Sequence, residues 1–307
     1  MRNKALVTLA ALIAIAPAAA QDLPLVNASL AREFGSYPGD GLSLPTDVAV
    51  GSDGRVYIVD SGRHRIASYD ASANPLGHFG SEGDGEGQLN GPVGIDVDSK
   101  GNIYVADKNN NRVQVFKADG SFQRSLPVEE AGTAAMPVDV AVSAKGKTLY
   151  VTTNDTHKVL AVTSRGKPTN SWGGQGEEPG QFNYPATLAV DASGNVLVVD
   201  VLNARVQVFG EEGTPTAQYG EYGANPGSFI RPKGIAVDAA GRIFVSDSYL
   251  GVVQVLGSDG AFIGVLGVDG EAVRFKAPTG LAFAGGRLYV TDMLAGKVLA
   301  YDMGGVQ

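Results

Sequence analysis

Ile103-Tyr104-Val105-Ala106-Asp107-Lys108-Asn109-Asn110-Asn111-Arg112-Val113-Gln114-Val115-Phe116 is the stretch whose reading decides the fold, because its pattern recurs along the chain. An apolar triplet closely followed by Asp stands at Val56-Tyr57-Ile58 before Asp60, at Ile103-Tyr104-Val105 before Asp107, and at Val196-Leu197-Val198 before Asp200. It returns at Ile243-Phe244-Val245 before Asp247 and at Leu288-Tyr289-Val290 before Asp292. A further copy, Leu149-Tyr150-Val151, puts Thr153 where the Asp belongs. The spacings are 47, 46, 47, 47 and 45 residues. Self-similarity at such a period marks a stack or ring of supersecondary units.

Other markers keep step with the triplets. A proline precedes each one, at Pro45, Pro92, Pro137, Pro185, Pro232 and Pro278. A basic residue follows at Arg65, Arg112, Lys158, Arg205 and Lys297, with Val252 in the fifth copy. Each copy reads as four short strands: one after the proline, the triplet, a run such as Arg112 to Phe116, and a last run ending in a large apolar residue. The runs are β-branched and aromatic, with turn residues between them. Glycine, at 42 of 307 residues, supplies tight turns and excludes a helical repeat. The triplets are apolar almost continuously, which suits sheets covered on both faces.

Counting strands predicts closure. The end of the fourth strand falls at Phe34, Phe79, Leu126, Trp172, Tyr219 and Leu266, and the copy starting at Pro278 lacks its own. Ala31-Arg32-Glu33-Phe34-Gly35 is a fourth strand without three before it. Pairing the two predicts an all-β, six-bladed β-propeller of four-stranded antiparallel blades. Residues 21–35 would close the last blade, and blades would start near 45, 92, 137, 185, 232 and 278. Closure also removes an open sheet edge.

The first twenty residues read as a targeting segment. Arg2 and Lys4 precede an apolar run from Ala5 to Ala16, and Ala18-Ala19-Ala20 is a small-residue cleavage pattern. The run is too short to span a bilayer. A cleaved leader, with no cysteine for a lipid anchor or disulfide, points to a periplasmic or secreted protein without a membrane span. The full chain has net charge −8; without the leader, 22 bases face 32 acids. That balance argues against nucleic acid as a partner.

The repeat in Tyr104-Val105-Ala106-Asp107, Asn110 and Arg112 to Phe116, repeated in Tyr57 to Ile66 and Leu197 to Phe209, resembles the NHL repeat. The loop Gly80-Ser81-Glu82-Gly83-Asp84-Gly85-Glu86-Gly87-Gln88-Leu89-Asn90-Gly91-Pro92 matches that family too. The resemblance implies that the loops before the first strands and after the second strands share one face. It also implies functions ranging from sensing and from protein or RNA binding to a few enzymes, such as amidating lyases. Gluconolactonase-like and streptogramin-lyase-like propellers are more distant in shape.

Two sets of residues are candidates for ligand binding. Asp60, Asp107, Asp200, Asp247 and Asp292 would gather on the loop face as an acidic ring, or else each would cap its own turn. Two residues after each proline stand Asp47, Gly94, Asp139, Thr187, Gly234 and Gly280. Gly lets backbone approach the axis, and Asp47, Asp139 and Thr187 break that pattern. Asp47 and Asp139 near a channel mouth would suit Ca²⁺ or another divalent cation, or else an amine or a sugar hydroxyl. His64 and His157 read as turn residues and His78 as an outer-strand residue, so the three are not expected to converge on a zinc ion. The basic residues after each Asp are expected to form exposed ion pairs, worth roughly 0 to 1 kcal/mol each. No catalytic residue or cofactor is assigned. The sequence predicts a monomeric recognition module for a protein, peptide or small ligand, working through the loop face. The alternative is a metal-assisted lyase or lactonase at the axial pocket.

Overall fold

The computed structural model describes residues 23–35 and 40–304. The predicted leader, residues 1–20, lies outside the described residues.

Six four-stranded antiparallel sheets stand around a central axis. Their first strands, Pro45–Val50, Pro92–Val97, Pro137–Val142, Pro185–Val190, Pro232–Val237 and Pro278–Ala284, are innermost. Each lies against the first strands of both neighbouring blades, and the contact of the sixth with the first closes the ring. The second strands, such as Val196–Asp200, are buried along their whole length, whereas the fourth strands, such as Pro215–Tyr219, are largely open to solvent. The near-continuous apolar triplets follow from this, since a sheet clamped between two others has no wet face.

Among the described residues the core divides into six clusters, each filling the gap between two adjacent blades. One joins Tyr57, Val59 and Ile66 of blade one to Ile95, Ile103 and Val105 of blade two. Each fully buried aliphatic or aromatic side chain contributes roughly 1.5–3 kcal/mol, so stability is spread around the ring. Trp172 ends its fourth strand between Tyr150 and Phe209, with ring centroids at 6.0 and 5.8 Å.

Ser29–Phe34 pairs antiparallel with Lys297–Asp302, placing Phe34 opposite Val298 and Leu30 opposite Tyr301. This is the closure that strand counting predicts. Phe34 is 1% exposed, edge-on to Tyr69 of blade one at 5.7 Å. The segment does more than the sequence suggests. Leu25–Asn27 first adds in parallel to Phe262–Val268, the outer strand of blade five, so one N-terminal stretch staples two blades.

In all six blades the ladder between first and second strands slips just after the proline. Such a bulge takes one residue out of regular pairing and re-aims it. In five blades the position two after the proline lies within the slip, whereas in blade three pairing resumes at Asp139, opposite Thr152.

Candidate functional site

The ends of the second strands carry the repeated Asp residues. Asp60, Asp107, Asp200 and Asp247 are fully buried and Asp292 is 3% exposed. Their oxygens accept backbone N–H groups from the loop ahead of their own blade: Ser43, Asn90, Asn183, Ile230 with Arg231, and Lys276 with Ala277. In three blades the second oxygen accepts Nε of Arg65, Arg112 or Arg205 at 2.7–2.8 Å. These carboxylates therefore pin the loops to the blades. The three arginines correct the expectation of exposed pairs, because their side chains are only 11%, 14% and 6% exposed. Burial raises the cost of breaking such a pair to about 3–5 kcal/mol. Two histidines do similar work across blades: Nδ1 of His64 accepts Gly91 N–H and Nδ1 of His157 accepts Tyr184 N–H.

Down the axis runs a cavity of about 320 Å³. It extends from Asp47, Asp139 and Thr187 to Ser99, Ser143 and Gly146 in turns at the end away from the prolines. Asp47 and Asp139 are 6% and 4% exposed, so they line the interior rather than an open mouth. Asp47 of blade one accepts Ile95 N–H of blade two, and Asp139 of blade three accepts Leu188 N–H of blade four. A Cβ at Gly280 would collide with the Asp47 carboxyl, and one at Gly94 with that of Asp139. The Gly and Asp at equivalent positions are thus complementary: the glycines leave the space that the carboxyls fill. Thr187 donates its hydroxyl to Lys233 carbonyl across the next joint.

A third carboxyl completes the group. Asp96 lies in the same cavity, and Oδ2 accepts Val142 N–H of blade three. The sequence reading missed it, although a signal exists: four residues after the proline the other blades have Ala49, Ala141, Ala189, Ala236 and Ala282. Burial holds Asp47 well above the usual carboxylate range, the Asp139 charge adding to the effect. Burial pushes Asp139 up to about 7, with the Asp96 charge adding, and pushes Asp96 up to about 6. Carboxyls that keep protons near neutrality can donate hydrogen bonds or a proton. Among the described residues no three His, Cys, Asp or Glu side chains are grouped to hold a metal ion.

The loop-bearing face, at the proline end of the axis, is different in kind. Two residues after the end of each second strand stand Gly62, Asn109, Asp155, Leu202, Tyr249 and Leu294. Leu202, Tyr249 and Leu294 are 57%, 61% and 60% exposed. Leu44, Tyr184 and Tyr222, also exposed, sit in loops at the same end. The sequence reading missed this half-ring, because exposure cannot be read from a repeat whose apolar residues are mostly core.

The NHL repeat matches residues 42–69, 89–116 and 182–209. No curated protein matches the chain in sequence. Among solved structures, virginiamycin B lyase from Staphylococcus aureus superposes with a TM-score of 0.59 at 15% identity, over 88% of this chain and 98% of that one. A catalytically inactive form of that enzyme with quinupristin gives 0.62 at 14% identity, over 92% and 96%. A gluconolactonase from Xanthomonas campestris gives 0.65 at 15% identity, over 89% and 96%. At these identities the likeness is one of fold.

Proposed function

Given that the chain is an NHL-repeat β-propeller of six blades, we propose that it is an exported recognition module that docks a protein or peptide partner through its loop-bearing face. The observation that carries this is the half-ring of Leu202, Tyr249 and Leu294, which occupy one equivalent position in three consecutive blades. The fold does not need them, since Gly62, Asn109 and Asp155 serve at that position in the other three. Exposed apolar side chains gathered on one face are characteristic of interaction sites. The buried Asp residues beneath hold the loops in place, so the surface is presented rigidly, which lowers the ordering cost of binding. Peptides selected by display on the immobilised protein test it. They should lose binding when Leu202→Ser, Tyr249→Ser and Leu294→Ser are combined, and keep it in Asp139→Asn. Peptides indifferent to the triple change would overturn the reading.

The second reading is a lyase or lactonase, metal-assisted, in the axial cavity. What favours it is the group of proton-holding carboxyls of Asp47, Asp96 and Asp139, since shifted pKa values cluster at active sites. Stoichiometric Ca²⁺ or another divalent cation, lost in Asp47→Ala or Asp139→Ala, would support it. Protein that stays metal-free after dialysis against such cations would remove its metal-assisted form.

A further inference from the structure

We propose that the joint between blades two and three is a binding site for a small, uncharged aromatic molecule of one or two rings, received in a cavity lined by Leu126 and Val162. The site does not rest on the docking reading above, and it shares no lining residue with the axial cavity.

Two positions share the core of every joint: the end of a fourth strand and the end of the third strand in the following blade. At three joints both carry rings in contact, Phe34 with Tyr69, Phe79 with Phe116 and Trp172 with Phe209, their centroids 5.7, 4.9 and 5.8 Å apart. At two more, one ring shares the core with a leucine, Tyr219 with Leu256 and Tyr301 with Leu266. The joint of blades two and three has Leu126 and Val162, and no ring at either position. The loop entering that joint buries Ala135, whereas those entering the next three bury Phe182, Phe229 and Phe275.

The frame around these positions is unchanged. A Cβ at Gly120, Gly213 or Gly260 would strike the ring of Phe79, Trp172 or Tyr219, and one at Gly166 would come within 3.1 Å of Leu126. The turn of the following blade therefore lies against the same position at all four joints, and only the side chain beneath it changes. Shorter side chains in an unchanged frame leave a gap, because the surroundings relax only in part. The gap is a cavity of about 200 Å³. Val113, Leu149, Val151 and Leu160 form its walls, none more than 4% exposed. Pro127, Glu129 and Pro168, all exposed, stand at its rim. Glu129 is the one lining residue with a polar side chain.

Such walls give water few hydrogen-bond partners, and an apolar void of about 150 Å³ is enough to hold benzene. A ring suits the space better than a chain. The other joints close with flat side chains at these same two positions, so a flat ligand between Leu126 and Val162 would make the contacts that rings make elsewhere. Charge is disfavoured because the walls supply no partner for it, and a carboxylate ligand would also meet Glu129 at the entrance. Drug-sized pockets span roughly 300–1,000 Å³, so the smaller cavity here limits the ligand to one or two rings.

The test uses the full mature chain and fluoroindole, followed by ¹⁹F NMR. The fluorine resonance should shift saturably as protein is added. Affinity should fall at least about tenfold in Leu126→Phe and in Val162→Phe, which supply the rings that other joints have. It should be unchanged in Leu76→Phe, at an exposed site on blade one. Leu126→Phe should also raise Tm, as cavity filling does. Crystals of the unaltered chain under xenon pressure should hold xenon between Leu126 and Val162, a readout that needs no variant to fold. No saturable shift, affinity unchanged in both filled variants, or xenon absent from the joint would overturn the proposal. Displacement of fluoroindole by n-hexanol at a lower concentration than by indole would overturn the ring class in favour of an alkyl chain.

Discussion

Blades one to three and blades four to six are built on one repeat, with the same prolines and the same slip in the inner ladder. They differ along the axis and on the loop-bearing face. The first half supplies the cavity's three carboxyls, Asp47, Asp96 and Asp139; the equivalent positions in the second half are Thr187, Gly234, Gly280 and alanines. The second half instead exposes Leu202, Tyr249 and Leu294 on the loop face, opposite Gly62, Asn109 and Asp155. A ring of near-identical sheets would fold without either asymmetry. The difference therefore separates what the fold needs from what was added to it.

The largest effect is expected where the two halves join, between blades six and one. Phe34→Ala removes the aromatic wedged against Tyr69 and Tyr289 and should cost about 3–5 kcal/mol in urea unfolding. Deleting residues 21–35 should be worse, because blades five and six both lose a strand. A truncated protein melting within a few degrees of the intact one would mean that the joint does not govern stability.

Next in size is a pin common to both halves. Asp200→Ala leaves Arg205 and the Asn183 N–H without their carboxylate and should destabilise by about 3 kcal/mol. Blade three, which has Thr153 at that position, shows that a blade can form without the pin. A small loss in Asp200→Ala would mean that the other blades too hold their loops by other contacts.

The carboxyls should then set the first half apart in pH dependence. A carboxyl with a raised folded pKa binds its proton more tightly in the folded protein. Its contribution is full below the ordinary value of 3.8 and is lost as pH rises through the folded value, about 6 for Asp96 and about 7 for Asp139. Tm should therefore fall between about pH 4 and pH 7, and Asp139→Asn should flatten the fall. For Asp96 the shift corresponds to on the order of 3 kcal/mol. A Tm that rises through this range in step with wild type in both Asp96→Asn and Asp139→Asn would show the three carboxyls to be ionised throughout.

The smallest stability effect belongs to the second half. Leu202→Ser, Tyr249→Ser and Leu294→Ser should each change stability by no more than about 0.5 kcal/mol, as exposed positions do, while abolishing peptide binding. A large loss of stability would return these residues to the fold and erase the contrast.

Sequence alone determined the blades, their number and the joining strand. Those follow from the spacing of prolines, triplets and Asp residues and from one strand lacking at the end and one spare at the start, all of which are properties of order along the chain. It also picked out Asp47 and Asp139 as departures from glycine, but not their purpose, because their partners Ile95 and Leu188 lie 48 and 49 residues away in other blades. Only the tertiary structure decided that glycines across the joints make room for those carboxyls, that Asp96 joins them, and that Leu25–Asn27 grips blade five. The physical reason is common to all three: a repeat specifies each unit and its contact with the next, whereas whatever meets beyond the next unit depends on the ring having closed.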